Sequence, residues 1–199
     1  MRVVIVGQQW LGEQALQLCL QRGDGVAKAL PPSAGGRFHT AALRSGVPAE
    51  ICPRRVEAAH IPPGTDLIVA AHAHAYITAG ARRAARYGAL GYHPSLLPRH
   101  RGRDAVRWAI HMGDWVTGGT AYWMDDGADT GPIAAQDWCW IRPGDTPQTL
   151  WRRALAPLGL RLLGEVLREL DAGRQPSRPQ DETLATWEPA FGTGLLSGH

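Results

Sequence analysis

Apolar residues along this chain fall into short continuous runs that alternate with stretches of helical spacing, a pattern typical of a parallel sheet covered by helices. The short runs predict strands at 2–6, 26–30, 47–52, 66–71 and 89–92. Apolar positions three and four residues apart predict intervening helices at 8–21, 38–44 and 80–86. Right-handed crossovers between such strands produce a doubly wound sheet. We therefore expect an α/β fold with a mostly parallel sheet and helices on both faces.

The second half of the chain predicts two further strands and one long helix. These elements are expected at 120–124, 133–141 and 147–172. Pro157 lies inside the predicted helix, where its ring and its missing N–H should kink or divide the helix. The expected organisation is one domain over residues 1–190, followed by a flexible C-terminal tail at 191–199.

Composition narrows the classes of partner that we expect. The 199 residues are 44% hydrophobic and 20% charged, which is ordinary for a globular domain. The formal net charge is only +3 and no basic block stands out, so charge does not indicate a nucleic-acid partner. No apolar run approaches the roughly 20 residues of a membrane span. Cys19, Cys52 and Cys139 lie far apart in the sequence with no paired spacing, so we expect them to be reduced thiols. We expect a cytoplasmic protein with no membrane partner.

The turn after the first predicted strand is unsuited to phosphate. Residues 7–12 read Gly-Gln-Gln-Trp-Leu-Gly and lack the G-x-G-x-x-G spacing of dinucleotide-binding turns. The bulky side chains of Gln8, Gln9 and Trp10 make a poor cradle for a phosphate group at a helix start. The sequence therefore argues against a phosphorylated ribonucleotide as the substrate.

Two motifs between residues 88 and 133 suggest a chemistry. Residues 91–98 read Gly-Tyr-His-Pro-Ser-Leu-Leu-Pro, and residues 127–131 read Gly-Ala-Asp-Thr-Gly. These motifs resemble those of the folate-dependent formyltransferases, which move a formyl group from 10-formyltetrahydrofolate to an amine. The resemblance implies a Rossmann-like formyltransferase fold, with 10-formyltetrahydrofolate as the formyl donor. No basic extension like the nucleic-acid-binding domain of methionyl-tRNA formyltransferases follows, so we expect a small-molecule amine or hydroxylamine as the acceptor.

The resemblance also assigns catalytic roles. It implies that His93 donates to the developing oxyanion and that Asp129 positions His93 or relays protons. The family usually has Asn where this chain has Gly91, and losing one oxyanion donor lowers a rate by about 10²–10³. Three alternatives stay open: His72, His74 or a water supplies the donor, a more nucleophilic acceptor needs less help, or only folate binding remains.

The resemblance places the folate against the loop after the fourth predicted strand and against both motifs. The expected folate-binding residues are His72, His74, Tyr76, Leu90, Leu97, Gly127 and Ala128. The expected acceptor-binding residues are Gln9, Trp10 and Trp123. Asp125 is expected to be a scaffold for the loop that carries Asp129. Arg99, Arg101 and Arg103 would either meet the glutamate tail of the folate or lie in a solvated loop.

Other interpretations of these residues stay open. His72 and His74, with His60 and His93 in reach, could hold zinc, but no thiol or carboxylate accompanies them and no metal is expected. The alternative reaction is hydrolysis of 10-formyltetrahydrofolate, with water replacing the amine. The alternative outside enzymes is a folate-binding or partner-binding protein without activity. A hydrophobic, Trp-containing strand at 133–141 is compatible with a homodimer.

Overall fold

A six-stranded mixed sheet forms the centre of the computed structural model, which describes residues 1–191. In chain order the strands are β1 (Arg2–Gly7), β2 (Gly25–Leu30), β3 (Arg55–Val56), β4 (Leu67–Ala71), β5 (Tyr76–Ile77), β6 (Ala89–His93), β7 (Val116–Trp123) and β8 (Ile133–Trp140). The large sheet has the order β2-β1-β4-β6-β7-β8, and β3 pairs with β5 separately. Within the large sheet, β2, β1, β4 and β6 are parallel to one another. β7 runs antiparallel to β6, and β8 runs antiparallel to β7. The predicted mostly parallel α/β sheet is confirmed.

Helices cover both faces of this sheet. They are α1 (Gln9–Gln21), α2 (Arg37–Arg44), α3 (Ala79–Arg83), α4 (Ala105–His111), α5 (Pro147–Leu150) and α6 (Ala156–Asp171). Val3 and Ile5 of β1 share a core with α1, α2 and α6, whereas Val4 and Val6 share another with Ala81 of α3. This division follows from the strand, because successive side chains point to opposite faces. The sheet is therefore buried on both sides and its ends are left for ligands.

The long C-terminal helix is divided ahead of Pro157, as the sequence predicts. α5 ends at Leu150, a π-helical turn spans Trp151–Leu155, and α6 begins at Ala156. Pro157 lies in the first turn of α6, where a missing N–H is tolerated. The wider π-helical turn accommodates the interruption between α5 and α6.

The strand predicted at 47–52 is wrong. Only Ala49 forms an isolated parallel bridge there, to Ala29 of β2. Pro48 has no N–H to give to a ladder, so it accepts from Ala29 N–H at 2.9 Å but donates nothing. The chain instead forms β3 slightly later, at Arg55–Val56.

The segment after α6 returns along the site side of the sheet. Trp123 Nε1 donates to Pro176 O at 2.7 Å, and Trp108 Nε1 donates to Pro189 O at 2.8 Å. Phe191, the first residue of the predicted tail, stacks on Trp108 with ring centroids 4.5 Å apart. The rest of that tail, 192–199, lies outside the described residues. Among residues 1–191, no helix is long and apolar enough to cross a membrane.

Three tryptophans are exposed near the β8 edge of the sheet. Trp115, Trp138 and Trp140 are 81%, 52% and 57% exposed, and the rings of the last two meet edge to face at 5.2 Å. A homodimer through this strand stays a prediction.

Candidate active site

A cavity of about 1080 Å³ lies beyond the carboxyl ends of the parallel strands, where open α/β sheets bind ligands. The loops after β1, β4, β6 and β7 line it, together with α4 and the α5 turn. Its lining includes Gln9, His72, His74, Tyr76, Gly91, His93, Arg103, Arg107, Tyr122, Met124, Gly127, Ala128, Asp129, Gln148 and Trp151. The cavity is large enough for a cofactor-sized ligand, since such sites commonly measure about 300–1,000 Å³.

His93 is the last residue of β6 and is only 6% exposed. Its Nε2 lies 2.7 Å from the carbonyl oxygen of His100. A carbonyl only accepts, so this contact assigns a proton to Nε2. Nδ1 faces Asp129, with Oδ2 of the carboxylate 3.4 Å away. Nδ1 is therefore the ring atom available to take or release a proton in the cavity.

The loop after His93 is fixed by β7 and by the returning C-terminal segment. Thr120 of β7 donates to Ser95 O at 2.7 Å and accepts from Leu97 N–H at 3.1 Å. His100, with a left-handed φ of 57°, donates its backbone N–H to Thr186 Oγ1 at 2.8 Å. These bonds hold the His100 carbonyl at Nε2 of His93.

The buried ring of His100 lies between two carboxylates. Its Nε2 contacts Asp114 Oδ2 at 2.8 Å, and Arg99 donates to the same carboxylate. Glu188 Oε1 lies 3.1 Å from Nδ1, but outside hydrogen-bond geometry, so Nδ1 has no hydrogen-bond partner among residues 1–191. Burial would raise the pKa of Asp114, but hydrogen bonds from Arg99 and His100 outweigh it and lower the pKa.

Asp129 is held in an unusual backbone conformation by several bonds. Its φ is 58°, in the left-handed region. Oδ1 accepts from the Tyr122 hydroxyl at 2.7 Å, and Oδ2 accepts from Gly102 N–H at 2.9 Å. Gln180 Nε2 donates to the carbonyl oxygens of Asp129 and Gly131, at 2.9 and 2.7 Å. The carboxylate is thus fixed with Oδ2 towards His93.

Asp125 stabilises the same loop from within. Its Oδ1 accepts from Thr130 Oγ1 at 2.7 Å and from Gly127 N–H at 3.0 Å. A Cβ at Gly127 would collide with the Thr130 side chain, and one at Gly131 would collide with the carbonyl of Trp123. These contacts explain the spacing of the second motif and fit the scaffold role expected of Asp125.

The space beside Gly91 is filled by an aromatic ring. Gly91 lies directly opposite Tyr122 in the antiparallel β6–β7 pair. A Cβ built on Gly91 would lie 3.0 Å from Tyr122 Cε1 and 3.2 Å from Met124 Cγ. Burial, together with the charge of Asp129, raises the pKa of Tyr122 well above its ordinary value. The hydroxyl therefore stays protonated and donates to Asp129.

Sequence comparisons with known proteins show the family of this chain. The family model described as formyl transferase matches residues 33–166 of this chain. The chain belongs to the formyl transferase family. Among curated proteins, mouse mitochondrial 10-formyltetrahydrofolate dehydrogenase is 33% identical over 94% of this chain and 22% of its own length. Methionyl-tRNA formyltransferase of Methylacidiphilum infernorum is 45% identical over 50% of this chain and 31% of its own length. This chain thus spans 22% of the length of the dehydrogenases that it matches.

Solved formyl transferases share the fold. Glycinamide ribonucleotide transformylase 1 of Symbiobacterium toebii has a TM-score of 0.74 and 26% identity, covering 91% of this chain and 94% of its own. An N-formyltransferase of Helicobacter canadensis, solved with folinic acid and dTDP-3-aminofucose, has a TM-score of 0.76. It is 15% identical and covers 94% of this chain and 70% of its own, so it supports the fold alone. Formyl transferases use 10-formyltetrahydrofolate as the formyl donor.

Most of the expected folate-binding residues line the cavity, but two do not. His72, His74, Tyr76, Gly127 and Ala128 all border it. The buried Nδ1 of His72 has no hydrogen-bond partner within residues 1–191, and burial followed by the charge of His74 lowers the pKa of this ring. A neutral, unpartnered ring nitrogen suits a ligand that hydrogen-bonds. Leu90 and Leu97 are instead 0% and 3% exposed, and neither borders the cavity. Leu90 packs in the core shared with α1 and α6.

The prediction that Gln9, Trp10 and Trp123 bind the acceptor is partly wrong. Gln9 borders the cavity, with a left-handed φ of 51°. Trp10 packs against the core and Trp123 is 8% exposed within it, so neither reaches the cavity. Adjacent strand residues face opposite ways, and it is Tyr122 that faces the site. The sequence analysis missed Tyr122, Gln148 and Trp151. Strand alternation could have identified Tyr122, whereas nothing local identifies the others.

The three loop arginines have separate roles. Arg99 pairs with Asp114, and Arg101 donates to Gln180 and Glu182. Arg103 borders the cavity, and its side chain forms no ion pair with any of residues 1–191. Arg107 also borders the cavity and lies over the ring of Phe191 at 5.3 Å.

The histidines considered for zinc do not come together. His60 accepts from Glu57 N–H at 3.0 Å and does not border the cavity, whereas His72 and His74 lie 5.5 Å apart between ring centroids. Within the described part of the chain, no three His, Cys, Asp or Glu side chains are grouped to hold a metal ion.

Proposed function

We propose that this chain transfers the formyl group of 10-formyltetrahydrofolate to a small-molecule amine or hydroxylamine. The observation that carries the proposal is the pairing of His93 Nδ1 with Asp129 Oδ2, 3.4 Å apart at the wall of the cavity. The pair combines a proton carrier with a fixed carboxylate in a chain of the formyl transferase family, which supports the proposal. Expected folate-binding residues border the same cavity, at His74, Tyr76 and Ala128.

The proposed reaction is balanced without an external proton source. The acceptor nitrogen bonds to the formyl carbon and gives up one proton, while the bond from that carbon to N10 of the folate breaks and N10 takes one proton. His93 can carry this proton on Nδ1, because its Nε2 is occupied by the His100 carbonyl. When Nδ1 is protonated, it also donates to the negative oxygen that develops on the formyl carbon. Asp129 stabilises the imidazolium and fixes the ring.

Polar groups at the α4 and α5 side of the cavity suit a polar acceptor. Gln9, Gln148, Arg103 and Arg107 border it, together with Trp151. The two guanidinium groups favour an acceptor that carries a carboxylate or another anionic group near its amine. The indole of Trp151, 5.0 Å from the ring of His72, offers a flat apolar wall.

Hydrolysis of 10-formyltetrahydrofolate is a second candidate function. The curated relatives named 10-formyltetrahydrofolate dehydrogenase favour it, since that name specifies the donor and no amine. Water would then take the place of the acceptor nitrogen, and the same His93–Asp129 pair would remove its proton.

One assay separates these functions. Purified protein is incubated with 10-formyltetrahydrofolate and a panel of amines and hydroxylamines, with and without a carboxylate substituent, and with no acceptor as a control. Formylated acceptor that disappears in His93→Ala and Asp129→Asn supports transfer, and Arg44→Ala on the distant α2 helix serves as the matched control. Formate release at the same rate with and without acceptors supports hydrolysis. Tight binding of folinic acid without either product would contradict both functions and support a folate-binding protein.

A further inference from the structure

The absence of a side chain at Gly91 is compensated from the neighbouring strand. Tyr122 lies opposite Gly91, and its Cε1 and Cζ atoms come within 3.0 and 3.1 Å of the point where a Cβ would stand. Met124 Cγ closes the same space at 3.2 Å. All three residues border the cavity. An asparagine side chain and the Tyr122 ring therefore cannot occupy this position together without movement of the ring.

The same ring brings a hydrogen-bond donor to the catalytic carboxylate. The Tyr122 hydroxyl donates to Asp129 Oδ1 at 2.7 Å, which leaves Oδ2 for Gly102 N–H and His93. Without the hydroxyl, Oδ1 would have no other donor among residues 1–191, and only the Gly102 N–H bond to Oδ2 would oppose rotation of the carboxylate.

We propose that Tyr122 is a positioning residue that replaces the side chain missing at Gly91, with its ring filling the space and its hydroxyl orienting Asp129 towards His93. The inference rests on the proposed function, since it assigns Tyr122 a role in the same reaction. The compensating group acts on the Asp129 carboxylate and not on the oxyanion, so this role is separate from that of a substitute oxyanion donor. Gly91 and Tyr122 therefore form a pair, because the ring packs closely against the position where a side chain at residue 91 would begin.

The first test removes only the hydroxyl. Tyr122→Phe keeps the ring beside Gly91, so the fold and the KM for 10-formyltetrahydrofolate should change little. Because a hydrogen bond to a charged group contributes about 1.5–3 kcal/mol, kcat should fall about 10- to 100-fold. Tyr92→Phe is the matched control, since it removes another buried tyrosine hydroxyl, which donates to Leu155 O at 2.6 Å. An unchanged kcat in Tyr122→Phe, or an equal loss in Tyr92→Phe, would overturn the proposal.

The second test changes the residues at positions 91 and 122, first singly and then together. Gly91→Asn alone should lower the melting temperature and the activity, because its Cβ meets the Tyr122 ring and Met124. Tyr122→Ala should also lose activity. The double variant, Gly91→Asn with Tyr122→Ala, has room for the amide and a new donor, so its kcat should exceed that of either single variant. A double variant whose loss is the sum of the two single losses would show that the positions are independent.

A spectroscopic measurement keeps this inference separate from the proposed function. Nitrogen resonances of the His93 ring, recorded by NMR on the whole protein, report the contact between Nδ1 and Asp129. They should shift in Tyr122→Phe and stay in place in Tyr92→Phe. If the wild type shows neither transfer nor hydrolysis but the His93 resonances shift, the proposed function fails and the positioning role stands. If the wild type is active and the resonances do not move, the function stands and the positioning role fails.

Discussion

The side chain of Gln180 is expected to be a main support of the active site, although it touches neither catalytic side chain. Its Nε2 donates to the carbonyl oxygens of Asp129 and Gly131, and its Oε1 accepts from Arg101 Nε and Nη2 at 3.2 and 2.8 Å. One amide thereby joins the loop that carries Asp129 to the loop that follows His93. Gln180→Ala removes all of these contacts and leaves two carbonyl groups without their donor.

The size of the effect follows from those contacts. Each of the two bonds to the carbonyl groups contributes about 1 kcal/mol, and the bond from the charged Arg101 contributes about another 1 kcal/mol after discounting for partial exposure. The loss of about 3 kcal/mol should lower the melting temperature by roughly 6–12 °C for a domain of this size. Because the loop that holds Asp129 is loosened, kcat should fall by more than the loss of folded protein explains.

The measurement combines thermal unfolding with steady-state kinetics, below the melting temperature of the variant. Gln17→Ala in α1 is the matched control, because that amide makes no hydrogen bond within residues 1–191 and lies outside the cavity. The variant Gln180→Glu keeps the acceptor for Arg101 but places a carboxylate against two carbonyl oxygens, so it should be as impaired as Gln180→Ala. A Gln180→Ala protein with a melting temperature within 1–2 °C of wild type and an unchanged kcat would refute the reasoning.

Three further expectations concern charge and reactivity. The lowered pKa of Asp114 lies below the ordinary 3.8, so its contribution to stability is present above that value and is lost as the pH falls through the folded-state pKa. The difference in melting temperature between wild type and Asp114→Asn should therefore be constant near neutral pH and shrink below about pH 4; a difference that grows on acidification would contradict this. Burial, followed by the charge of Asp24, raises the pKa of Cys19 to about 12, so this thiol should not react with Ellman's reagent at pH 8 until the protein unfolds. Equal reaction rates in folded and unfolded protein would disprove its burial. Arg103→Ala should raise the KM for a carboxylate-bearing acceptor several-fold with kcat unchanged, whereas Arg44→Ala should not; equal effects on acceptors with and without the carboxylate would count against the anionic subsite.

The sheet could be predicted from the sequence, because strands that are buried on both faces appear as continuous apolar runs. Strands such as β1 and β4 are unbroken apolar runs, and only a doubly covered parallel sheet accommodates them. The positions of His93 and Asp129 at the cavity could also be predicted, because each lies in a motif that resembles one of the formyltransferases. The strand predicted at 47–52 does not form, because the missing N–H of Pro48 outweighs the apolar pattern of this segment.

The remaining parts of the site depend on contacts between distant parts of the chain. Gln180 lies 51 positions after Asp129, and Thr186 lies 86 positions after His100, so no local pattern connects them. Trp151 reaches the cavity from the π turn, whose extra width is not encoded by helical periodicity. Trp123 was chosen over Tyr122 for the acceptor side although only one of two adjacent strand residues can face the site.

The returning segment after α6 also determines the order in which the molecule can be completed. Every strand of the large sheet precedes residue 141, and the helices that cover it end at Asp171. The residues that fix the active-site loops, Gln180 and Thr186, come later. During synthesis the sheet can therefore fold before the catalytic loops have all of their supports, and the loops around His93 and Asp129 gain the last of these bonds only after Gln180 and Thr186 have left the ribosome. Proteolysis between α6 and Gln180 should weaken these last supports, while the bonds from Thr120, Gly102 and Tyr122 are kept.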